Sequence, residues 1–306
     1  MRRRYLLVAA VVAILVALFA LPKCKPETVK VVPTPHTPQP TPVQTYRVFL
    51  PAIGKSPRVS KKGLAALGAP EDICADAAQL GVTWLYQWWG QPTQCPGIET
   101  IPMTRDANQV NDPIADSPYL LLFNEPDLCP EQACLTVAEA LLLHRRVEEL
   151  HPDRLLIAPV PSQLAPNWIR GFRAAYRANY GEYPKWHALA THCYFTNEQM
   201  MQNCIALVRQ YIGDANAWGV NQVWVTEFSA VAAEGLWNLD QAAEAEKRFI
   251  AFLDGAPTVK RYAHFTNRVE PGLEPWCSGC EPLRLFDNSG VKTPLGRMYA
   301  ESKGSD

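Results

Sequence analysis

Residues 119–127, YLLLFNEPD, constrain this chain more than any other stretch. The apolar run from Tyr119 to Phe123 has no polar alternation, so it reads as a strand buried on both faces, as in a parallel sheet. It ends at once in Asn124, Glu125, Pro126 and Asp127, which sets an amide and a carboxylate at the strand's C-terminal end. Barrels of parallel strands keep their chemistry at that edge. Residues 223–228, VWVTEF, repeat the pattern and close on Glu227. Two strand-end carboxylates are what glycoside hydrolysis requires.

The remaining chain alternates in the same way. Strands are expected at 62–67, 82–88, 98–103, 118–124, 154–160, 186–194, 222–227 and 259–266. Helices are expected from Pro70 to Leu80 and over 136–150, 166–179, 197–214 and 240–253. In the helix over 136–150, Ala138, Leu141, Leu142, Val147 and Leu150 fall roughly on one face. Mostly helical crossovers between these strands predict an α/β fold, a single (β/α)8 TIM barrel over 59–306, close to the usual size of about 250 residues. A doubly wound sheet would need a Gly-rich phosphate turn after an early strand, and none appears. By this count Glu125 ends strand four and Glu227 ends strand seven, across the barrel and facing one cleft.

Before the barrel the composition changes twice. Arg2–Arg4, an apolar run from Tyr5 to Leu21 and a break at Pro22 form an export segment over 1–24. A cut after Ala20 would leave Leu18 where a small residue is preferred, so a cleaved signal peptide and a retained membrane anchor both stand. Residues 25–58 form a Pro/Thr-rich linker, with Pro33, Pro35, Pro38, Pro40 and Pro42 favouring extended backbone. The chain therefore reads as an exported, extracellular or cell-surface monomer, with a membrane tether through its N-terminus if the segment is kept. Nine cysteines suit an oxidising compartment. Spacing cannot choose among the pairings, although Cys129–Cys134 and Cys277–Cys280 are the local candidates. Cys277-Ser278-Gly279-Cys280 imitates a redox motif, but it follows the last strand instead of opening a helix, so a structural loop is the better reading. With net charge −1 and no basic block beyond the first residues, nucleic acid is excluded as a partner.

At this point the residues resemble a known family. Lys61-Lys62-Gly63-Leu64, the Trp84–Trp88 stretch WLYQW, Pro102-Met103, Asn124-Glu125-Pro126-Asp127, His192-Cys193-Tyr194 and the Trp224–Phe228 stretch WVTEF carry the likeness. Together they look like the retaining glycoside hydrolases of clan A, most narrowly glycoside hydrolase family 128, over about residues 60–300. The resemblance implies a (β/α)8 β-1,3-glucanase with Glu125 as acid/base and Glu227 as nucleophile. Asn124 would bond a sugar 2-hydroxyl, and His192 and Tyr194 would line the cleft near the nucleophile. The chain departs from the family pattern at Gln87, Cys193 and Thr104-Arg105, positions expected to touch sugar.

The residues themselves support the same chemistry. A retaining pair needs one protonated and one ionised carboxyl roughly 5–5.5 Å apart. Apolar surroundings raise the acid's pKa, and hydrogen-bond donors keep the nucleophile charged. Asn124, His192 and Tyr194 are the donors expected for Glu227. Tyr86 and Trp88, at the end of strand two, and Trp276, in the loop after strand eight, are candidates for sugar stacking. Trp84 divides evenly between core and cleft, while Trp186 and Trp224 read as core. His36, His144, His151 and His187 read as surface, linker or packing, and His264 has no assignment. The histidines show no metal spacing, and the reaction needs no cofactor. The expected function is retaining hydrolysis of a β-glucan, most simply endo-β-1,3-glucan. The alternatives are a cellulase- or mannanase-like β-glycanase and a non-catalytic glycan-binding barrel.

Overall fold

A computed structural model describes residues 60–232, 237–269 and 283–304. The export segment, the linker, Trp276, Cys277 and Cys280 lie outside the described residues.

Eight parallel strands form the inner ring. They are β1 (Lys62–Ala65), β2 (Trp84–Tyr86), β3 (Glu99–Ile101, continued by Met103–Thr104), β4 (Tyr119–Leu122), β5 (Leu155–Ile157), β6 (Leu189–Phe195), β7 (Val223–Ala230) and β8 (Val259–Phe265). One hydrogen-bonded ladder runs β3-β2-β1-β8-β7-β6, and a second joins Met103–Thr104 to β4 and β5. The two meet at Pro102, which has no N–H to donate and interrupts the ladder. There Leu121 N donates to Pro102 O at 3.0 Å. At the other seam Ile157 bridges Ala188, with Ala158 N donating to Ala188 O at 3.0 Å. These contacts close the ring, and the expected barrel is what the chain forms.

The helices are α1 (Pro70–Leu80), α2 (Val137–Leu150), α3 (Trp168–Tyr180), α4 (Glu198–Trp218), α5 (Leu239–Gly255) and α6 (Pro294–Glu301). Their ends follow local chemistry. α1 starts on a proline and stops at Gly81, whose φ of 64° suits glycine. α2 starts in a capping box of Thr136 and Glu139. α6 was not anticipated, although Thr293 caps it and Pro294 opens it, a start signal readable in the sequence. The face assigned to α2 needs correction. Ala140, Leu141, His144 and Val147 are buried, while Leu142 is 69% exposed and Ala138 and Leu150 also face outward. His144 completes the apolar stripe because Trp186 Nε1 donates to its Nε2 at 3.0 Å, satisfying a buried polar atom.

The core has two main shells. Leu64, Leu85, Val225, Phe228 and Tyr262 pack outward from the strands with the helices, whereas Trp84, Tyr86, Met103, Leu121 and Trp224 fill the lumen. Trp84 is thus core, and so are Trp186 and Trp224. Arg261 is held in the lumen among Trp84, Tyr119 and Trp224, and its Nη1 lies 2.7 Å from Glu99. Gly63 must lack a side chain, because a Cβ there would stand 2.2 Å from the Trp84 ring. His264 is fully buried, with its Nε2 3.2 Å from Ser229 Oγ and 3.3 Å from Glu246. It is a packing residue.

Among the described residues two disulfides secure the loops. Cys129–Cys134 forms as expected, and Cys74–Cys95 ties α1 to the loop after β2. The ends of β1 and β8 are clasped by a buried carboxylate. Asp76 accepts from Arg268 Nε (2.7 Å), Arg268 Nη2 (2.9 Å) and Asn267 Nδ2 (3.0 Å), and Asn267 Oδ1 accepts from Leu67 N. Removing one partner of a buried pair costs about 3–5 kcal/mol. Asp76→Ala should lower the urea midpoint accordingly, with the slope of the transition unchanged.

Candidate active site

The site grows from irregularities at two strand ends. Beyond β4, Phe123 (φ 38°) and Glu125 (φ 43°) adopt left-handed backbone, which non-glycine residues rarely occupy. Surrounding bonds impose this strain. Phe123 N donates to Thr104 O (2.8 Å), Asn124 N to Arg105 O (2.9 Å) and Glu125 N to Val160 O (2.8 Å). Strained backbone persists only where the surroundings over-determine it, and it clusters at functional sites. In β7 the pairing with β8 slips between Val225 and Phe228, and the pairing with β6 slips at the same level. A bulge of this kind re-aims one side chain, here Glu227.

Four side chains converge on Glu227. Its Oε1 accepts from Tyr86 Oη at 3.0 Å and from Trp88 Nε1 at 3.1 Å, and its Oε2 accepts from Tyr194 Oη. His192 Nδ1 lies 2.9 Å from Glu125 Oε1 and 3.5 Å from Glu227 Oε2, so one ring nitrogen faces both carboxylates. An oxygen of Glu125, a nitrogen of His192 and an oxygen of Glu227 all fall within 4.8 Å of one another. The three could offer ligand atoms to a cation. Glu227, however, already has its oxygens engaged by three protein donors. The pair opens into a cleft of about 520 Å³ whose wall includes Trp88, Trp89, Arg105, Asn124 and Tyr194.

Burial and mutual charge shift several groups of the cluster. Burial raises the Glu125 pKa above the usual carboxylate range; the hydrogen bond and charge of His192 oppose this, and the charges of Glu227 and Asp127 add to it. For His192, burial works against the charged ring, yet the carboxylates of Glu227 and Glu125 prevail and raise its pKa. Burial, followed by the charge of Glu227, pushes the Tyr86 and Tyr194 phenols well above their ordinary range. Both therefore keep their protons and remain donors.

The structure brings Glu125, Glu227, His192, Tyr194, Tyr86 and Trp88 into one cluster. Asn124 differs from expectation: its Nδ2 donates to Gln132 Oε1 at 3.1 Å, so it is not a donor to Glu227. Its Oδ1 is buried with no protein partner. Of the positions that depart from the family pattern, only Arg105 lines the cleft. Gln87 is buried and accepts from Thr93 N at 2.7 Å, and strand alternation turns Cys193 outward, away from the cleft. Trp89, which sequence reasoning sets beside Tyr86 and Trp88 at the end of strand two, also lines the cleft. Gln109, Glu131 and Gln132 line it too and were not selected; they sit in a short 3-10 turn and a loop with no local pattern.

Comparison with known proteins places this geometry. A family model described as "Glycosyl hydrolase catalytic core" matches residues 63–299. The chain is 24% identical over 252 residues to Alkali-sensitive linkage protein 1 of Schizosaccharomyces pombe, covering 78% of this chain and 44% of that protein. It thus spans less than half the length of that curated relative. Among solved structures it is similar to a subgroup I GH128 endo-β-1,3-glucanase of Amycolatopsis mediterranei in complex with laminaritriose. That match has a TM-score of 0.61 and 24% identity, and covers 79% of this chain and 98% of the other. A subgroup III GH128 curdlan-specific exo-β-1,3-glucanase of Blastomyces gilchristii matches with a TM-score of 0.59 and 23% identity, again over 79% and 98% of the two chains. These likenesses show a common fold.

The raised pKa of Glu125, a largely but not fully buried acid, bears on stability. Because folding raises the Glu125 pKa, its protonated form is favoured in the native state. The stability this group contributes is complete at low pH and is lost as pH rises through the folded-state value. Glu125→Gln mimics the protonated form, so at pH 7 its Tm should exceed the parent's by a few degrees. The difference should shrink in acid, as scanning calorimetry across pH would show.

Proposed function

This chain belongs to the glycosyl hydrolase catalytic core family, and from that premise we propose that it is a retaining endo-β-1,3-glucanase. The observation that carries the mechanism is the Glu125–Glu227 pair. Oxygens within 4.8 Å fit the roughly 5–5.5 Å spacing of retaining enzymes and leave no room for the water that inverting enzymes place between carboxyls about 6.5–9.5 Å apart.

In the first step Glu227 attacks the anomeric carbon while Glu125 gives its proton to the leaving glycosidic oxygen. The glycosyl group is then held as an ester on Glu227. In the second step Glu125, now a carboxylate, takes a proton from water as that water attacks the anomeric carbon and releases Glu227. Tyr86, Trp88 and Tyr194 fix the attacking carboxylate, and His192 offers its Nδ1 to Glu125 throughout the cycle. The β-1,3-glucan assignment draws on the laminari-oligosaccharide complexes of the similar A. mediterranei enzyme. The exposed Trp89 and the polar wall at Arg105 suit a glycan chain running along the cleft. A glycan-binding barrel without catalysis fits less well, since binding alone does not call for a buried carboxylate held by three donors. The disulfides suit an oxidising compartment. We place the enzyme outside the cytoplasm, with the N-terminal segment supplying export or a tether.

The decisive measurement is reducing-sugar release from β-1,3-glucan, β-1,4-glucan and mannan. Turnover should occur on the first and be abolished in Glu227→Ala, and NMR should show the β anomer forming first. Turnover on another glycan alone would discard the substrate and keep the mechanism; initial formation of the α anomer would discard the mechanism. The pH profile carries a further expectation. Glu125 must be protonated to act as acid, so activity should fall on the alkaline side at a pH above the ordinary glutamate range. Glu125→Gln should lower kcat about 10²–10⁴-fold and remove that alkaline limb.

A further inference from the structure

We propose that Cys193 and Cys204 form a third disulfide when the chain folds in an oxidising compartment, cross-linking the strand behind the active site to its helix. Among the described residues four other cysteines are already paired, as Cys74–Cys95 and Cys129–Cys134. Cys193 and Cys204 are the two free ones, and both are buried in the same core. Cys193 Sγ lies 3.7 Å from Cys204 O, and Cys204 Sγ lies 3.8 Å from the carbonyl oxygen of Tyr194, the residue next to Cys193. The two cysteines are therefore neighbours in space. Sequence spacing hid it, because one partner is on β6 and the other on α4.

The position matters because alternation along β6 sends His192 and Tyr194 into the site and Cys193 outward. Tyr194 is gripped through its backbone as well. Gln163 Nε2 donates to Tyr194 O at 3.0 Å, Gln163 Oε1 accepts from Tyr194 N, and Cys204 Sγ touches the same amide oxygen at 3.9 Å. A bond between the two sulfurs would lock the strand that holds a donor to Glu227.

The chemistry is ordinary thiol–disulfide exchange with a protein or small-molecule disulfide as oxidant. One cysteine thiolate attacks that disulfide, forms a mixed disulfide and expels one oxidant thiolate. The second cysteine thiolate then attacks the cysteine sulfur of the mixed disulfide and expels the other. Two thiol protons are released, and two electrons reduce the oxidant to a dithiol. In the folded protein burial holds the Cys193 thiol well above its ordinary range, which suppresses the thiolate. Both thiols are also buried, out of reach of an oxidant once the chain has folded, so the bond must close during folding.

The test compares full-length protein exported through an oxidising compartment with protein made in a reducing cytosol. Both are denatured in alkylating agent without reductant, cleaved at Glu198 and neighbouring glutamates, and mapped by mass spectrometry. Glu198 lies between the two cysteines, so a bond appears as two joined peptides. Joined Cys193 and Cys204 peptides in the exported protein, and alkylated ones in the cytosolic protein, are the expected result. Alkylation of both in the exported protein, or linkage of either to Cys24, Cys277 or Cys280, would overturn the proposal. As a second readout, exported Cys193→Ser/Cys204→Ser should melt several degrees below the exported parent. Equal melting temperatures would show that no such cross-link exists.

Discussion

A single buried carboxylate sets the terms for the whole molecule. Glu227 can sit in an apolar lumen only because Tyr86, Trp88 and Tyr194 turn their polar ends toward it, with His192 close by. An unpaired buried charge would be too costly to keep. The donors come from the end of β2 and from β6, so their strands must be held in register with β7. The ring of Trp88 belongs to the lumen packing as well as to the cleft wall, whereas Tyr86, expected at the sequence level to stack on sugar, is fully buried and reaches Glu227 from the lumen. Trp88 meets Tyr86 and Phe265 edge-on, and Tyr194 meets Phe265 in the same way. The cleft wall and the core packing therefore share rings of Trp88, Tyr194 and Phe265.

The lower lumen solves a similar problem with the opposite sign. Arg261 is almost fully buried, yet it has a carboxylate partner in Glu99 and three aromatic faces around it. Aromatic faces attract a guanidinium, most strongly when it is desolvated. A cation below and an anion above are each satisfied by rings from the same strands, notably Trp84 and Tyr86 on β2.

Much of this was legible in the sequence because parallel strands are apolar throughout and helix ends carry local signals. The runs ending in Glu125 and Glu227 gave the strands, their order and the pairing of the two carboxylates. What was hidden depends on contacts between distant segments. The outward turn of Leu142 and the burial of His144 follow from Trp186, far along the chain, supplying a partner. Cys74–Cys95 joins a helix to a loop with no local spacing to mark it. The bulge that re-aims Glu227 and the positive φ of Glu125 arise from neighbouring strands, and the residues at those positions carry no glycine to announce them. Asn124 turns to Gln132 because the Cys129–Cys134 loop brings that amide within reach, a consequence of loop closure that no motif encodes.

The two seams of the ring have a mechanical consequence. Pro102 and the short bridge at Ala188 divide the strands into a longer arc, which carries Glu227, His192 and Tyr194, and a shorter arc, which carries Glu125. The two carboxylates thus ride on different staves of the barrel, and the gap between them crosses a seam of the ladder. Across that gap the imidazole of His192 acts as a spacer in contact with both. The distance between the two carboxylates is therefore gauged by one side chain in contact with both, and not by a continuous run of backbone bonds.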